Sequence, residues 1–282
     1  MPELPEVETV RRGLESRVVG RKILDVEVGR ERSVRRVGKD AVINGLRGTT
    51  MVNAMRRGKY LLCDLNSGDR VMIHLRMSGR VLIERAGSDR PAHTHVVLNL
   101  APRDGVREEM WFVDPRTFGE VVVFDPRHEG DVLPELSRLG PDPIADHFDG
   151  EILGERLRGR RGAIKSLLLN QHVVCGVGNI YADEILHRCG LRWNRTADSL
   201  SKRKITQLAD TIGEVLTEAI SSGGSTLVDT QYVDIDGNVG SFQDNHRVYG
   251  RHGQMCLTCG KTSIRRVMVA GRSTCFCPRC QK

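Results

Sequence analysis

Long hydrophobic runs are missing from this sequence, and aromatic residues are few. No stretch approaches the roughly 20 consecutive apolar residues that a bilayer-spanning helix needs, aromatics make up only 4% of the residues, and charged side chains make up 28%. A helical membrane protein is thereby excluded, and a soluble chain is expected. Basic residues are missing from the opening Met-Pro-Glu-Leu-Pro-Glu-Val-Glu, which carries three acids instead. That is the reverse of the basic start of a secretory signal, so a cytoplasmic location is expected. Acids, in turn, are missing from Arg251 to Lys282, where seven basic residues stand alone; seven is also the net formal charge of the whole chain, so the rest balances. A basic tail and a pI near 9.1 point to a polyanionic partner. Internal repeats are absent as well, and 282 residues suffice for two modest domains, each with its own core.

What is present divides along the chain. Leu4, Val7, Val10, Leu14 and Val18 recur at intervals of three and four, which predicts an amphipathic helix over residues 3–18. From Lys22 to about Asp125 the pattern becomes short β-rich runs (ILDVEV, TMVNAM, YLLCDL, RVMIHL, RVLIE, HVVLNL, MWFV, EVVVF) separated by turn residues. An antiparallel sandwich or barrel is expected there. Gly140-Pro141-Asp142-Pro143 breaks the chain, helical periodicity returns from Glu151 to Ser222, and a polar, Gly-dotted stretch over 225–245 has the length of a functional loop.

Eight cysteines are present, five of them between Cys256 and Cys280. Cys256-Leu-Thr-Cys259 and Cys277-Pro-Arg-Cys280 are two C-x2-C knuckles separated by 17 residues, a spacing that closes a tetrahedral thiolate site for one structural Zn²⁺. Cys275 falls at the wrong interval and is left outside it. Between the knuckles, Ala270-Gly271-Arg272-Ser273-Thr274 reads as a hairpin tip projecting an arginine, a group whose planar fork suits phosphate oxygens.

At the other end, Pro2 becomes a free secondary amine once Met1 is removed. Such an amine can attack an electrophilic sugar carbon and form an iminium that acidifies the neighbouring C–H bond. Glu3 and Glu6 lie one turn apart beside it and can serve as acid and base; taken alone, they are first-turn acids favoured by the helix dipole. Lys59, in Arg-Gly-Lys-Tyr, is expected to open a strand; taken alone, it is a sheet-edge charge.

The opening Pro2-Glu3-Leu-Pro-Glu6, Arg-Gly-Lys59-Tyr, His74-Leu-Arg-Met77-Ser-Gly, Asp114-Pro-Arg116-Thr-Phe118-Gly, Gly176-Val-Gly-Asn179-Ile-Tyr-Ala-Asp-Glu184, Gly223-Gly-Ser-Thr and the terminal Gly-Arg272-Ser-Thr together resemble the formamidopyrimidine-DNA glycosylases. The order is also that family's. The resemblance implies a bifunctional glycosylase and abasic-site lyase that excises oxidised purines, 8-oxoguanine and formamidopyrimidines, from duplex DNA, working as a monomer and meeting the nucleoid as it acts. It implies Pro2 as the Schiff-base nucleophile, Glu3 as the acid that assists ring opening and base release, and Glu6 as a supporting carboxylate. Lys59 would be the proton donor for β-elimination and Arg272 the one for δ-elimination. Met77, Arg116 and Phe118 match residues inserted into the duplex, since a base that is flipped out leaves a void to fill. His93, Arg160 and Asn179 match positions that hold the DNA backbone.

The implied fold is α+β, with an N-terminal antiparallel β-sandwich flanked by helices (1–131), a linker (132–145) and a helical domain with a helix-two-turn-helix (146–245). That domain carries a lesion-covering loop over 223–245, and a four-cysteine zinc-finger hairpin (246–282) follows. The chain departs from the family at Asn170 and Cys175, and its lesion loop is longer and more acidic. A lesion-marking protein without catalysis and a zinc-ribbon accessory protein are the alternatives; the joint presence of Pro2, Glu3, Glu6 and Lys59 argues against both.

Overall fold

The computed structural model describes residues 1–227 and 232–282, and they form two compact units. Of the expected lesion loop, Val228 to Gln231 lie outside the described residues.

The first unit comprises Met1–Arg138 and Ser222–Ser241. It opens with α1 (Leu4–Arg17), whose Val7, Val10 and Leu14 are fully buried. Pro5 sits in its first turn, where a missing N–H costs no helical bond. Eight strands follow, one for each β-rich run: β1 (Ile23–Val28), β2 (Met51–Arg57), β3 (Tyr60–Leu65), β4 (Arg70–His74), β5 (Arg80–Arg85), β6 (Thr94–Arg103), β7 (Val106–Val113) and β8 (Glu120–Phe124). They pair antiparallel in two four-stranded sheets, ordered β1-β6-β7-β5 and β2-β3-β4-β8. Between them a single core gathers α1 with Ile23, Met51, Leu61, Ile73, Val81, Leu98, Phe112 and Val121, so the sandwich, rather than the barrel, is the form adopted. Helix α2 (Lys39–Leu46) packs on β1 and β8, and the short α3 (Glu129–Val132) closes the run.

The segment Ser222–Ser241, which follows the helical block in sequence, belongs to this first unit. Tyr232 and Ile235 join its core, Ile83 N–H donates to Ile235 O at 2.8 Å, and Arg17 pairs with Asp236. The burial of two large apolar side chains, worth several kcal/mol together, overrides chain proximity.

The second unit comprises Leu139–Ser221 and Phe242–Lys282. Gly140 to Pro143, expected within a linker, are buried in it: Gly140 N–H donates to Gln171 O at 2.8 Å and Cys175 N–H to Pro141 O at 3.0 Å. Its helices are α4 (Gly150–Leu157), α5 (Ile164–Leu168), α6 (Asn179–Arg188) and α7 (Lys202–Ser221). Asp149 caps α4 by accepting from Glu151 N and Ile152 N. On α7, Leu208, Ile212, Val215, Leu216 and Ala219 form the buried stripe. A hairpin of β9 (Arg265–Val269) and β10 (Arg272–Phe276) completes the unit. Among the described residues no helix is long and apolar enough to cross a membrane.

Candidate active site and metal centre

In the first unit the start of α1 is built around Glu6. Glu3 is the N-cap, and with Glu6 it forms a capping box, in which Glu3 N–H donates to Glu6 Oε2 at 2.8 Å. The other oxygen, Oε1, accepts Ser225 N–H at 2.7 Å, a bond across 219 residues. Gly224 makes room for it: its φ is +79°, and a Cβ there would lie 2.7 Å from Glu6 Oε1. The backbone carbonyl of Glu6 accepts the Tyr232 hydroxyl at 3.2 Å. Pro2, Glu3 and Glu6 are therefore together and buried, and Glu6 knits their turn to residues on both sides of 228–231.

Lys59 occupies a turn rather than the first position of a strand. Arg57 pairs with Tyr60, so Gly58-Lys59 is a two-residue hairpin loop, and the φ of +56° at Gly58 is the conformation such a loop demands and glycine supplies. This turn is tied to α1 through Arg56, which bonds Glu8 Oε2 and Gly58 O at 3.0 Å each. Lys59 is itself buried and lies within electrostatic reach of His74. Burial, then the charges of Arg76, Lys59 and Arg36, hold the His74 imidazole well below its ordinary value. The neutral ring accepts Arg76 N–H at Nδ1, 2.9 Å away.

Met77, Arg116, Phe118 and His93 come from three loops of this unit, and Asp114, which the sequence placed in a motif without a role of its own, joins all three. Its fully buried carboxylate accepts from Ser78 Oγ at 2.5 Å, Gly119 N at 2.7 Å and Arg116 N at 3.2 Å. Its N–H donates to His93 O at 3.0 Å, and its carbonyl meets His95 Nε2 at 2.9 Å. The signal available in sequence is a short acid before Pro at the end of an apolar run, the pattern of a side chain that bonds backbone ahead of it. Above this junction the side chains of Met77 and Phe118 are exposed, at 37% and 46%, and Arg116 and His93 are exposed as well. Arg32 stacks on the Phe118 ring, 5.9 Å from its centroid.

In the second unit Arg160 is exposed, with Nε donating to Arg156 O at 2.8 Å. Asn179 opens α6; its Nδ2 donates to Ser273 O at 3.0 Å, while its buried Oδ1 finds no hydrogen-bond partner among the described residues. The approach to α6 is shaped by Gln171, whose amide bonds Leu169 O, Val177 O and Gly176 N. Arg272 is exposed at the first position of β10, after an Ala270-Gly271 turn with φ of +48° and +75°. Beneath it lies a buried pair not anticipated from sequence: Lys165 Nζ is 2.7 Å from Asp183 Oδ1, and also donates to Ser273 O and Thr274 Oγ1.

Cys256, Cys259, Cys277 and Cys280 place their sulfurs within 4.8 Å of one another, and Cys275 is not among them. Cys256–Cys280 and Cys259–Cys277 are both separated by 3.8 Å, which is the edge of a tetrahedron whose Zn–S distance is about 2.3 Å. The thiolates thus fit one zinc ion in type, number and spacing.

Residues 1–121 match the family described as "Formamidopyrimidine-DNA glycosylase N-terminal domain", 139–231 the "Formamidopyrimidine-DNA glycosylase H2TH domain", and 253–282 the "Zinc finger found in FPG and IleRS". The formamidopyrimidine-DNA glycosylase of Gluconobacter oxydans is 45% identical and that of Cereibacter sphaeroides 44%, each with both chains covered in full.

The chain belongs to the formamidopyrimidine-DNA glycosylase family.

Solved members of the formamidopyrimidine-DNA glycosylase family share its fold. A point mutant of the Lactococcus lactis FPG, in complex with Fapy-dG-containing DNA, superimposes with a TM-score of 0.90 at 36% identity over the whole of both chains. The Lactococcus lactis Fpg with abasic-site DNA gives 0.89 at 36% identity over 99% of each. The resemblance drawn from seven motifs is thus borne out for the family, the α+β fold and the zinc finger.

Proposed function

We propose that this formamidopyrimidine-DNA glycosylase family member is a bifunctional DNA glycosylase and abasic-site lyase that removes oxidised purines from duplex DNA. The observation that carries the reading is the buried Pro2-Glu3-Glu6 turn, held by the Glu3 N–H to Glu6 bond and by Ser225. A nucleophilic amine needs a fixed approach to a sugar carbon, and this turn supplies one. With Met1 removed, Pro2 attacks C1′, the damaged base departs with its electron pair, and a ring-opened iminium remains on the enzyme. Glu3 delivers the proton that opens the sugar. The iminium acidifies the C2′–H bond, and loss of that proton expels the 3′ phosphate; the unsaturated iminium that results acidifies the C4′–H bond, and loss of that second proton expels the 5′ phosphate. Lys59 and Arg272 are the proton donors for the two steps. Bound zinc supplies a structural cross-link with no open coordination position, since four protein thiolates fill it.

Substrate handling follows from the loops above Asp114. Exposed Met77 and Phe118 are costly displays of apolar surface unless a partner covers them, and the void left by a flipped nucleotide is such a partner. Arg116 enters with them. His93, Arg160 and Asn179 hold the phosphate backbone, Asn179 from the start of a helix, whose dipole favours anions. The Lactococcus lactis complexes with Fapy-dG and abasic-site DNA support this substrate class, and the protein acts as a monomer in the cytoplasm, on the nucleoid. Borohydride reduction of the iminium should trap a covalent complex with a duplex carrying 8-oxoguanine opposite cytosine. Absence of that complex, with mature Pro2 verified by mass spectrometry, refutes the lyase assignment.

A further inference from the structure

Helix α6 meets the metal-binding segment at a regular interval. Asn179, Asp183 and His187 stand four residues apart, so they share one stripe of the helix. Asn179 donates to Ser273 O, and Asp183 Oδ2 accepts Cys275 N–H at 2.8 Å. These two contacts, with Lys165 on Ser273 O, take the place of a third strand along β10. The third rung is different in kind. His187 Nε2 lies 3.8 Å from Cys256 Sγ, within reach of an N–H···S bond, and 3.5 Å from Thr258 Oγ1. His187 is 5% exposed and Cys256 1%, so water does not compete for the sulfur.

We propose that His187 donates its Nε2–H to the Cys256 thiolate and is a positioning residue of the zinc site. Four thiolates give a zinc centre a net negative charge, and at the buried Cys256 sulfur stabilising that charge requires a donor from the protein. The backbone N–H groups of a knuckle serve this purpose locally, whereas His187 does so from a separate helix. It draws electron density from Cys256, slows protonation and release of that ligand, and fixes the metal segment in register with Asn179 and Asp183. Its contribution is to metal retention, and it stands whether or not the catalytic roles proposed above hold.

The test uses the full-length zinc-loaded protein with His187→Phe, which keeps an aromatic ring but removes the donor, and His187→Gln, whose Nε2 reaches about as far as that of histidine. Zinc release to a chromophoric chelator should be about 10-fold faster for the Phe variant and within about twofold of the parent for the Gln variant. In cobalt-substituted protein the sulfur-to-metal charge-transfer band should move to longer wavelength in the Phe variant, because the sulfur lone pairs are no longer lowered by the hydrogen bond, and return in the Gln variant. Parent-like release and spectrum in the Phe variant, or a Gln variant as impaired as Phe, overturns the proposal. Should the Phe variant fail to fold, His187→Asn, whose amide is too short to reach Cys256, takes its place with the same two outcomes.

Discussion

Replacing Glu6 with Gln keeps the shape of the side chain and exchanges one acceptor oxygen for a donor NH2. In the native protein both oxygens are committed, to Glu3 N at 2.8 Å and to Ser225 N at 2.7 Å. Gln satisfies one of these and turns its amide hydrogens on the other. A hydrogen bond to a charged group contributes about 1.5–3 kcal/mol, and a buried N–H left unmet costs on a similar scale. Relief from burying a carboxylate offsets part of this, leaving a net loss of about 2–3 kcal/mol, or about 30- to 150-fold in a local opening equilibrium. Hydrogen exchange at Ser225 and Glu3 should accelerate by that factor, ahead of amides in the core strands, and the urea midpoint should fall. Both Glu6 oxygens accept backbone N–H groups, which predicts a positioning role for this carboxylate: borohydride trapping should slow at every pH without a shift of its pH profile. Unchanged protection at both amides refutes the structural reasoning; a displaced pH profile refutes the positioning role.

Three further outcomes are expected. Asp114→Ala removes the acceptor shared by Ser78 Oγ and Gly119 N, at about 3 kcal/mol. Asn should retain more than half of that, because the Ser78 hydroxyl can turn to accept from it; urea unfolding of the two variants checks this, and equal losses would contradict it. Burial lowers the His246 imidazole to about 4, between Phe242 and Tyr249. The unfolded chain therefore takes up a proton as pH falls through about 6.5 while the native ring stays neutral. Stability is lost in that direction, by about 2 kcal/mol at pH 5, and His246→Phe should remove that share of the pH dependence in parallel urea titrations at pH 7 and 5. Chelation of zinc should abolish amide protection along β9 and β10 and weaken DNA binding, because structural zinc affinity is coupled to folding; protection that survives metal loss would count against it.

Much of the site was legible in the residues themselves. The zinc centre is carried by two knuckles whose ligands are neighbours in sequence, so spacing alone defined the four cysteines and set Cys275 aside. The Arg272 hairpin tip followed from the place of Ala270 to Thr274 between the two knuckles, and α1 from its periodicity. Lys59 was located but misplaced by one element, since a two-residue turn and the first residue of a strand differ only in the backbone angle at Gly58.

Composition and local periodicity, then, determined which segments become helix, strand and metal knuckle, because those choices depend on side chains within a few residues of one another. Tertiary structure decided what the buried acids do. Glu6 meets Ser225 across 219 residues, Asp114 joins three loops, Lys165 finds Asp183, and His187 finds Cys256. A buried carboxylate or imidazole takes its partners from whatever backbone the packed core brings within hydrogen-bond distance. No spacing in the chain encodes that approach, so the partners appear only when the core has closed.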